Sequence, residues 1–492
     1  MIKRRKRFFY LLSFVFACLL IYLFIYLHPE YWNHNSEYKW RILWHGKRSA
    51  FLWVVLVWLA LVSIIYWLGS WILKAGFRYK SELILVLAFI LGILSPLVFS
   101  EINRFGRYEL LVKVFVADHT SYFTDAQRFK DKTELIRVFR EDIAKLSTHT
   151  RTHPVAVVEF FRAINQWAER SELAQKVWKR LISPEVISQL EVHFKIPAKK
   201  QAGAFFIALM ILVCGALVLV FSWLVLRRFY SEELCWLAVC VGASTPMFSL
   251  KAPVADQLFA LFIIFSVYLF LLKKWFYVRA FAVGMIIGAG VWLSPSVWVS
   301  VPLAYFLLFA QMAEDERKLA EILKEKKIYW SGFLMALGIL IGLVLLSKLM
   351  GIGYIEMFKL NRAGWRLNNV ASGRVHIWKW ILFNPYEYLF WLSVPLMFGF
   401  AVKVIDEIKK GIKRKQADYF FIAWVGFLLL LDISGQVCYE SPRLLWFGVV
   451  LTIGPCLLGT AYVLGMKNFH NLGWILILGL AGIQSGLFHL IY

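Results

Sequence analysis

GAFFIALMILVCGALVLVFSWLVL, residues 203–226, decides the fold. It contains no charged residue, and a helix of about 20 apolar residues is long enough to cross the hydrocarbon core of a bilayer. Runs of the same kind recur along the chain. Thirteen spans are expected, over 8–27, 51–73, 82–100, 203–226, 234–250, 254–272, 280–294, 297–312, 329–349, 381–402, 418–433, 443–465 and 471–491. The 492 residues are 60% hydrophobic, with 22 Trp and 42 Phe. A transmembrane β-barrel would show alternating segments of about ten residues, and these are absent. The expected fold is therefore all-α: a polytopic transmembrane helical bundle of about thirteen spans. Pro295 separates 280–294 from 297–312, because a proline removes a backbone donor.

The net charge is +24. In a soluble chain that excess would point to nucleic acid. Here most Lys and Arg flank apolar runs, so they set topology and meet anionic lipid headgroups. No nucleic-acid partner is expected. Five cysteines (Cys18, Cys214, Cys235, Cys240, Cys456) lie inside apolar runs and Cys438 in a short loop, with no disulfide or metal spacing. Lys3 to Arg7 precede the first run as in a signal peptide, but no small-residue cleavage site follows. The expectation is an uncleaved first span with a cytoplasmic N-terminus, in a multi-pass plasma (inner) membrane protein. The short-loop charge rule then puts Lys74/Arg78/Lys80, Arg227/Arg228, Lys273/Lys274/Arg279, the segment 313–328 and Lys403 to Lys415 inside. The segments 28–50, 101–202, around 251–253, around 295, 350–380 and 434–442 fall outside. Three parts follow: N-terminal spans 1–81, a core 82–312 with the external loop 101–202, and C-terminal spans 313–492 with external loops 350–380 and 434–442.

The loop 101–202 is a polar island in this apolar chain. It contains ADHTSYFTDAQRF (117–129) and STHTRTHPVA (147–156). Between them Phe129, Leu135, Ile136, Phe139, Ile143 and Leu146 form one stripe at helical period, predicting a helix from Ala126 to Leu146. A second stripe of Val157, Phe160, Phe161, Ile164 and Trp167 predicts another, with Pro154 in its first turn. Ser183-Pro184-Glu185 reads as the start of a third. Such basic amphipathic helices lie in the interface plane or pack on span ends. The segment 313–328 reads as a solvated helix on whose surface Glu321 and Glu325 pair with Lys324 and neighbouring lysines.

Under this topology unusual polar residues gather at the outer ends of spans. The loop supplies Asp118, Asp125, Arg151 and His153. Lys251 and Asp256 flank Pro253. The loop 350–380 supplies Lys359, Arg362, Arg366, Arg374 and His376, and the start of the twelfth span supplies Glu440 and Arg443. A lipid-linked anionic substrate would seek Arg and Lys at the interface. An acceptor hydroxyl needs a general base, which a carboxylate provides. Phosphate leaves without an acid if cations stabilise the developing charge. One carboxylate and a cationic clamp are thus the minimum for moving a sugar from a polyprenyl phosphate. Each residue also has a plainer reading: Asp125 as the N-cap of a helix starting near Ala126, Asp256 as the cap of its span, and Glu440 with Arg443 as a mutually shielding pair.

The motifs resemble those of the GT-C superfamily of polytopic glycosyltransferases, which includes the protein O-mannosyltransferases and the bacterial aminoarabinose transferase of lipid A. Asp118 in DHTSYFTDAQRF matches the acidic residue of the family's first external loop, with Asp125 as a second candidate. HTRTHPVA (149–156) is similar to a HTRTHPPG-like segment, with Val155-Ala156 in place of Pro-Gly. SGQVCYESPRLLWF (434–447) resembles a SG…GE..R.W segment, keeping Glu440, Arg443 and Trp446 but with Tyr439 for Gly. GVWLSPSVW (290–298) is similar to the family's short G…L(S/T)P turns.

The resemblance implies a GT-C-like architecture over most of 82–465 and a transfer of sugar from a polyprenyl-phosphate-linked donor to an acceptor lipid, glycan or protein on the extracytoplasmic face. Asp118 and Asp125 would be the catalytic carboxylates. Arg151, His153, Asp256, Arg374, His376, Glu440 and Arg443 would bind substrate. No cofactor and no divalent metal is expected, since the spacing of His119 and His149 with the aspartates fits no compact metal site. Two alternatives stand beside it: an inactive member serving as a scaffold, and a transporter or flippase of lipid-linked sugars.

Overall fold

In the computed structural model, the described residues are 13–23, 47–103, 105–115, 121–250, 252–314, 321, 324–371, 377–412, 417–434, 445–464 and 472–491. Regular structure among them is helical throughout. Five helices are long and apolar enough to cross a membrane: Arg48–Lys74, Lys80–Ser100, Ala198–Leu226, Pro295–Glu314 and Lys326–Met350. Six shorter apolar helices accompany them: Ser13–Leu23, Asp256–Leu271, Phe276–Val291, Tyr419–Ile433, Trp446–Tyr462 and Trp474–Leu490.

The tightest helix pair is Phe276–Val291 against Lys326–Met350, and its cause is readable in four glycines. Gly284 and Gly288 on one helix face Gly338 and Gly342 on the other, each pair spaced as small-xxx-small. A Cβ at Gly288 would lie 2.6 Å from the Ile339 carbonyl oxygen, and one at Gly342 2.9 Å from that of Met285. In lipid, helices associate by such close packing because the solvent is itself apolar. Gly399 and Gly459 do the same for Val394–Ile412 against Val449–Leu464.

Several expectations are corrected. The run 381–402 is not one span: Ile377–Leu392 ends, and Val394–Ile412 begins after Ser393. Pro395 cannot donate a backbone hydrogen bond in the new first turn. The buried Gln484 closes the break, accepting from Val394 N at 2.9 Å and donating to Phe390 O at 2.7 Å. The run 234–250 likewise breaks, into Glu232–Ala243 and Pro246–Leu250. The break at Pro295 stands, with Ser294 Oγ accepting from Ser296 N.

In the loop, the helix expected from Ala126 starts at Lys132 and ends at Glu141. Asp131, not Asp125, caps it, accepting from Glu134 N at 2.9 Å while Glu134 accepts from Lys130 N at 2.9 Å. Pro154 sits just before the helix Val155–Arg170 rather than inside it. Pro184 opens Pro184–Phe194 as read. Glu172–Leu181 and Tyr354–Ala371 are helices that periodicity did not single out. Half of the segment 313–328, residues 315–320, 322 and 323, lies outside the described residues.

Candidate functional site

The HTRTH segment is held from three sides. Thr148–Thr152 forms a short helix, His153 and Pro154 are extended, and Val155 opens the next helix. Val155 and Ala156, which stand where the similar segment has Pro-Gly, are both buried, and the chain still turns there. His153 lies between two rings. It meets Tyr122 edge-on, with centroids 5.5 Å apart, and stacks on Phe259 at 5.8 Å and 19°. The backbone is gripped by the helix Tyr354–Ala371: Asn361 Nδ2 donates to the carbonyls of His153 and Arg151. Gly364 packs so closely that a Cβ there would collide with the Arg151 carbonyl. The Arg151 Nε is buried and has no hydrogen-bond partner among the described residues.

Phe259 brings in Asp256. Asp256 is the first residue of Asp256–Leu271, partly exposed, and lies one turn from Phe259 on the same side of the helix. A carboxylate in a first turn is favoured by the positive end of the helix dipole, so the capping reading and a site role remain compatible. Lys113 ties the start of the loop to the preceding turn. It is 4% exposed, and its Nζ donates to Leu250 O at 2.6 Å and Ala252 O at 3.0 Å. Trp446 does the same from the far end of the sequence, donating from Nε1 to Met247 O at 2.9 Å and stacking on Phe248 at 4.6 Å.

Asp125 is placed differently from an open base. It is 1% exposed. Oδ1 accepts from Arg128 Nη1 at 2.9 Å, and Oδ2 accepts from Ser147 N at 3.0 Å and Ser147 Oγ at 2.5 Å. These bonds pin the short helix Tyr122–Ala126 to the start of the HTRTH segment, so Asp125 positions both of the elements that flank His153.

Asp118, Lys251, Arg374, His376, Glu440 and Arg443 lie outside the described residues. Their flanks are informative: Lys113 joins the chain before 116–120 to both sides of 251, and Trp446 joins the chain after 435–444 to Met247. Arg151, His153, Asp125 and Asp256 are thus brought into one neighbourhood. Lys359, Arg362 and Arg366 are not. They are exposed on helix 354–371, while Asn361 and Gly364 face the HTRTH segment. Among the described residues no three His, Cys, Asp or Glu side chains are grouped to hold a metal ion.

Sequence reasoning missed Lys113, Asn361, Gly364 and the Tyr122–His153–Phe259 stack. Lys113 had a signal, a lone charge inside LLVKVFV (110–116). The others depend on contacts between segments from 31 to more than two hundred residues apart, which periodicity does not encode. In comparisons with known proteins, no family model, no curated sequence and no solved structure matches this chain.

Proposed function

We propose that this chain is an integral-membrane glycosyltransferase of GT-C type, moving a sugar from a polyprenyl-phosphate donor to an acceptor hydroxyl or amine on the extracytoplasmic face of the plasma membrane. Asp118 is the base. Arg151 and His153 bind the donor phosphate and sugar, together with Arg374, His376, Glu440 and Arg443, and Asp256 lines the same site. Asp125 joins the pair of carboxylates by holding the Tyr122 and HTRTH elements in register. The five long and six shorter apolar helices, with the broken runs 232–250 and 381–402 counted as one crossing each, are consistent with thirteen spans.

One observation carries the reading: the HTRTH segment touches, at once, the helix Tyr122–Ala126 within the Asp118 motif, the first turn of the Asp256 helix and the helix 354–371. That convergence is what a site assembled from several external segments requires. The test is mass spectrometry of lipids that co-purify with the protein, followed by a transfer assay with the donor found. A polyprenyl-phosphate sugar consumed by wild type and not by Asp118→Asn supports the proposal. Full turnover by Asp118→Asn, in folded protein, sinks it.

A second reading has one observation in its favour. Glu387 is a buried carboxylate on the helix Ile377–Leu392, which ends before Ser393, and the buried Asp432 accepts from Asn384 Nδ2 of the same helix at 2.7 Å and lines a cavity of about 120 Å³ with Asn384 and Tyr388. Transporters build binding sites from broken helices and buried charges. Movement of a lipid-linked sugar across vesicles without transfer would favour this reading.

A further inference from the structure

Helix Tyr354–Ala371 has two unlike faces. Met357, Asn361 and Gly364 are buried against the protein, the latter two on the HTRTH segment. At 3.6 residues per turn, Ile355, Phe358, Lys359, Arg362, Trp365 and Arg366 fall on the opposite side, within an arc of roughly 120°. All six are exposed, Ile355 at 72% and Trp365 at 54%. The helix begins three residues after Gly351, which ends the membrane-length helix Lys326–Met350 in a left-handed turn. Its first residue, Tyr354, accepts a hydrogen bond from Trp298 Nε1 at 3.1 Å and meets the Trp292 ring at 5.8 Å. Aromatic residues of this kind concentrate at the level of lipid headgroups.

We propose that this outer face is a docking surface for anionic phospholipid headgroups. Ile355, Phe358 and Trp365 enter the upper acyl region, and Lys359, Arg362 and Arg366 bind headgroup phosphates. Apolar and cationic side chains alternate within one stripe, as on helices lying in a bilayer interface, whereas a protein partner would meet an apolar centre with a charged rim. None of the three cations makes an ion pair among the described residues. Because the inner face grips Arg151 and His153 through Asn361 and Gly364, anionic lipid on the outer face seats the segment that carries them. The proposal does not depend on sugar transfer.

The test is native mass spectrometry of the delipidated full-length protein titrated with phosphatidylglycerol or phosphatidylcholine. Wild type should prefer phosphatidylglycerol. The variant K359Q/R362Q/R366Q should bind it about a hundredfold more weakly, since each cation near an anionic surface contributes roughly fivefold. K176Q/K179Q/R180Q, which removes three exposed cations from the helix Glu172–Leu181, should bind like wild type. The preference should fall steeply as salt rises to about 0.5 M, where screening is strong, and this holds without any variant. Equal affinity in the first triple variant, equal loss in both, or no preference over phosphatidylcholine would overturn the proposal. Displacement by excess inorganic phosphate would overturn it too, by reducing the surface to a simple anion site.

Discussion

Two polar regions lie at opposite ends of the helix Ala198–Leu226, whose 29 residues span about 43 Å. Near one end, Gly203 packs on Asn165 of the loop that carries the HTRTH segment. Just past the other, the Tyr230 hydroxyl donates to both carboxylate oxygens of Asp418, at 3.0 and 2.9 Å. The second region closes on itself. Lys403 is paired with Glu407 at 2.9 Å and Asp418 at 2.8 Å, Lys410 with Asp406 at 2.8 Å and Glu407 at 2.7 Å, and the Asp418 amide donates to Glu407. The first region does not close on itself in this way: Asp256 is partly exposed, the His153 imidazole sits between two rings, and the buried Arg151 Nε has no hydrogen-bond partner among the described residues. Charges that satisfy one another hold a fold together, while a buried donor such as Arg151 Nε, unmatched among the described residues, can serve a substrate. Substitutions should therefore separate into those that cost turnover and those that cost folding.

Asp118→Asn should cause the largest loss on the open side. A positioned general base contributes about 10²- to 10⁴-fold, so transfer should fall by that factor with the melting temperature unchanged. A fall in melting temperature of the same variant would move Asp118 to the structural class. On the closed side, Lys403→Ala should destabilise by about 3–5 kcal/mol, because it leaves Glu407 and Asp418 buried beside each other without their shared cation. Lys403 and Glu407 side chains are each only 6% exposed, so water does little to compensate. Thermal unfolding in detergent measures this, and the residual folded fraction should keep its transfer rate per molecule.

The closed cluster also sets a pH signature. Burial pushes the Glu407 carboxyl up, but the Asp418 amide, Lys410 and Lys403 outweigh it and hold the group below its usual value. A depressed folded-state pKa means the stabilisation is complete above the unfolded value of 4.5 and is lost as pH falls through the lower folded value. Melting curves of wild type should therefore drop more steeply below that pH than those of Glu407→Gln. Parallel curves would mean that Glu407 is not linked to folding.

The boundary between the regions' behaviours runs through Gly364. A methyl group there meets a backbone carbonyl, which cannot rotate away, so the helix 354–371 must shift from the HTRTH segment. Overpacking of this kind costs about 1–3 kcal/mol. Gly364→Ala should lower both melting temperature and transfer, and is the one substitution among these expected to do both.

These contrasts show what the sequence made legible. The long spans were readable because lipid imposes a length and an absence of charge on each crossing. The GxxxG pairs at Gly284/Gly288 and Gly338/Gly342 stand in the sequence and mark a close helix pair. The break at Ser393 was hidden because its freed backbone groups are satisfied by Gln484, some ninety residues later. The segment 350–380 reads in the sequence as a loop supplying cations, and the structure makes 354–371 of it a helix. Its inward residues, Asn361 and Gly364, carry no charge, and its cations point the other way. Charge patterning singled out this segment, and its cations lie on the face away from the HTRTH segment.

The smallest effect belongs to Arg140→Ala. Arg140 meets Glu356 in a bidentate pair, at 2.7 and 3.1 Å, which joins the loop to the first turn of helix 354–371. Glu356 holds the Arg140 guanidinium above its usual value, and Arg140 holds the Glu356 carboxyl below its own. Both side chains are 45% exposed, so solvent screens the attraction. Exposed pairs contribute roughly 0.2–1 kcal/mol even with good geometry. The helix keeps its other ties to the loop, since Lys132 Nζ still donates to Leu349 O at 2.6 Å and Asn361 still holds the His153 carbonyl. Transfer and melting temperature should thus move little, and what change there is should vanish in high salt. A loss of transfer as large as that of Gly364→Ala would mean that the seat of this helix is governed by its exposed end, and that Gly364 is a bystander.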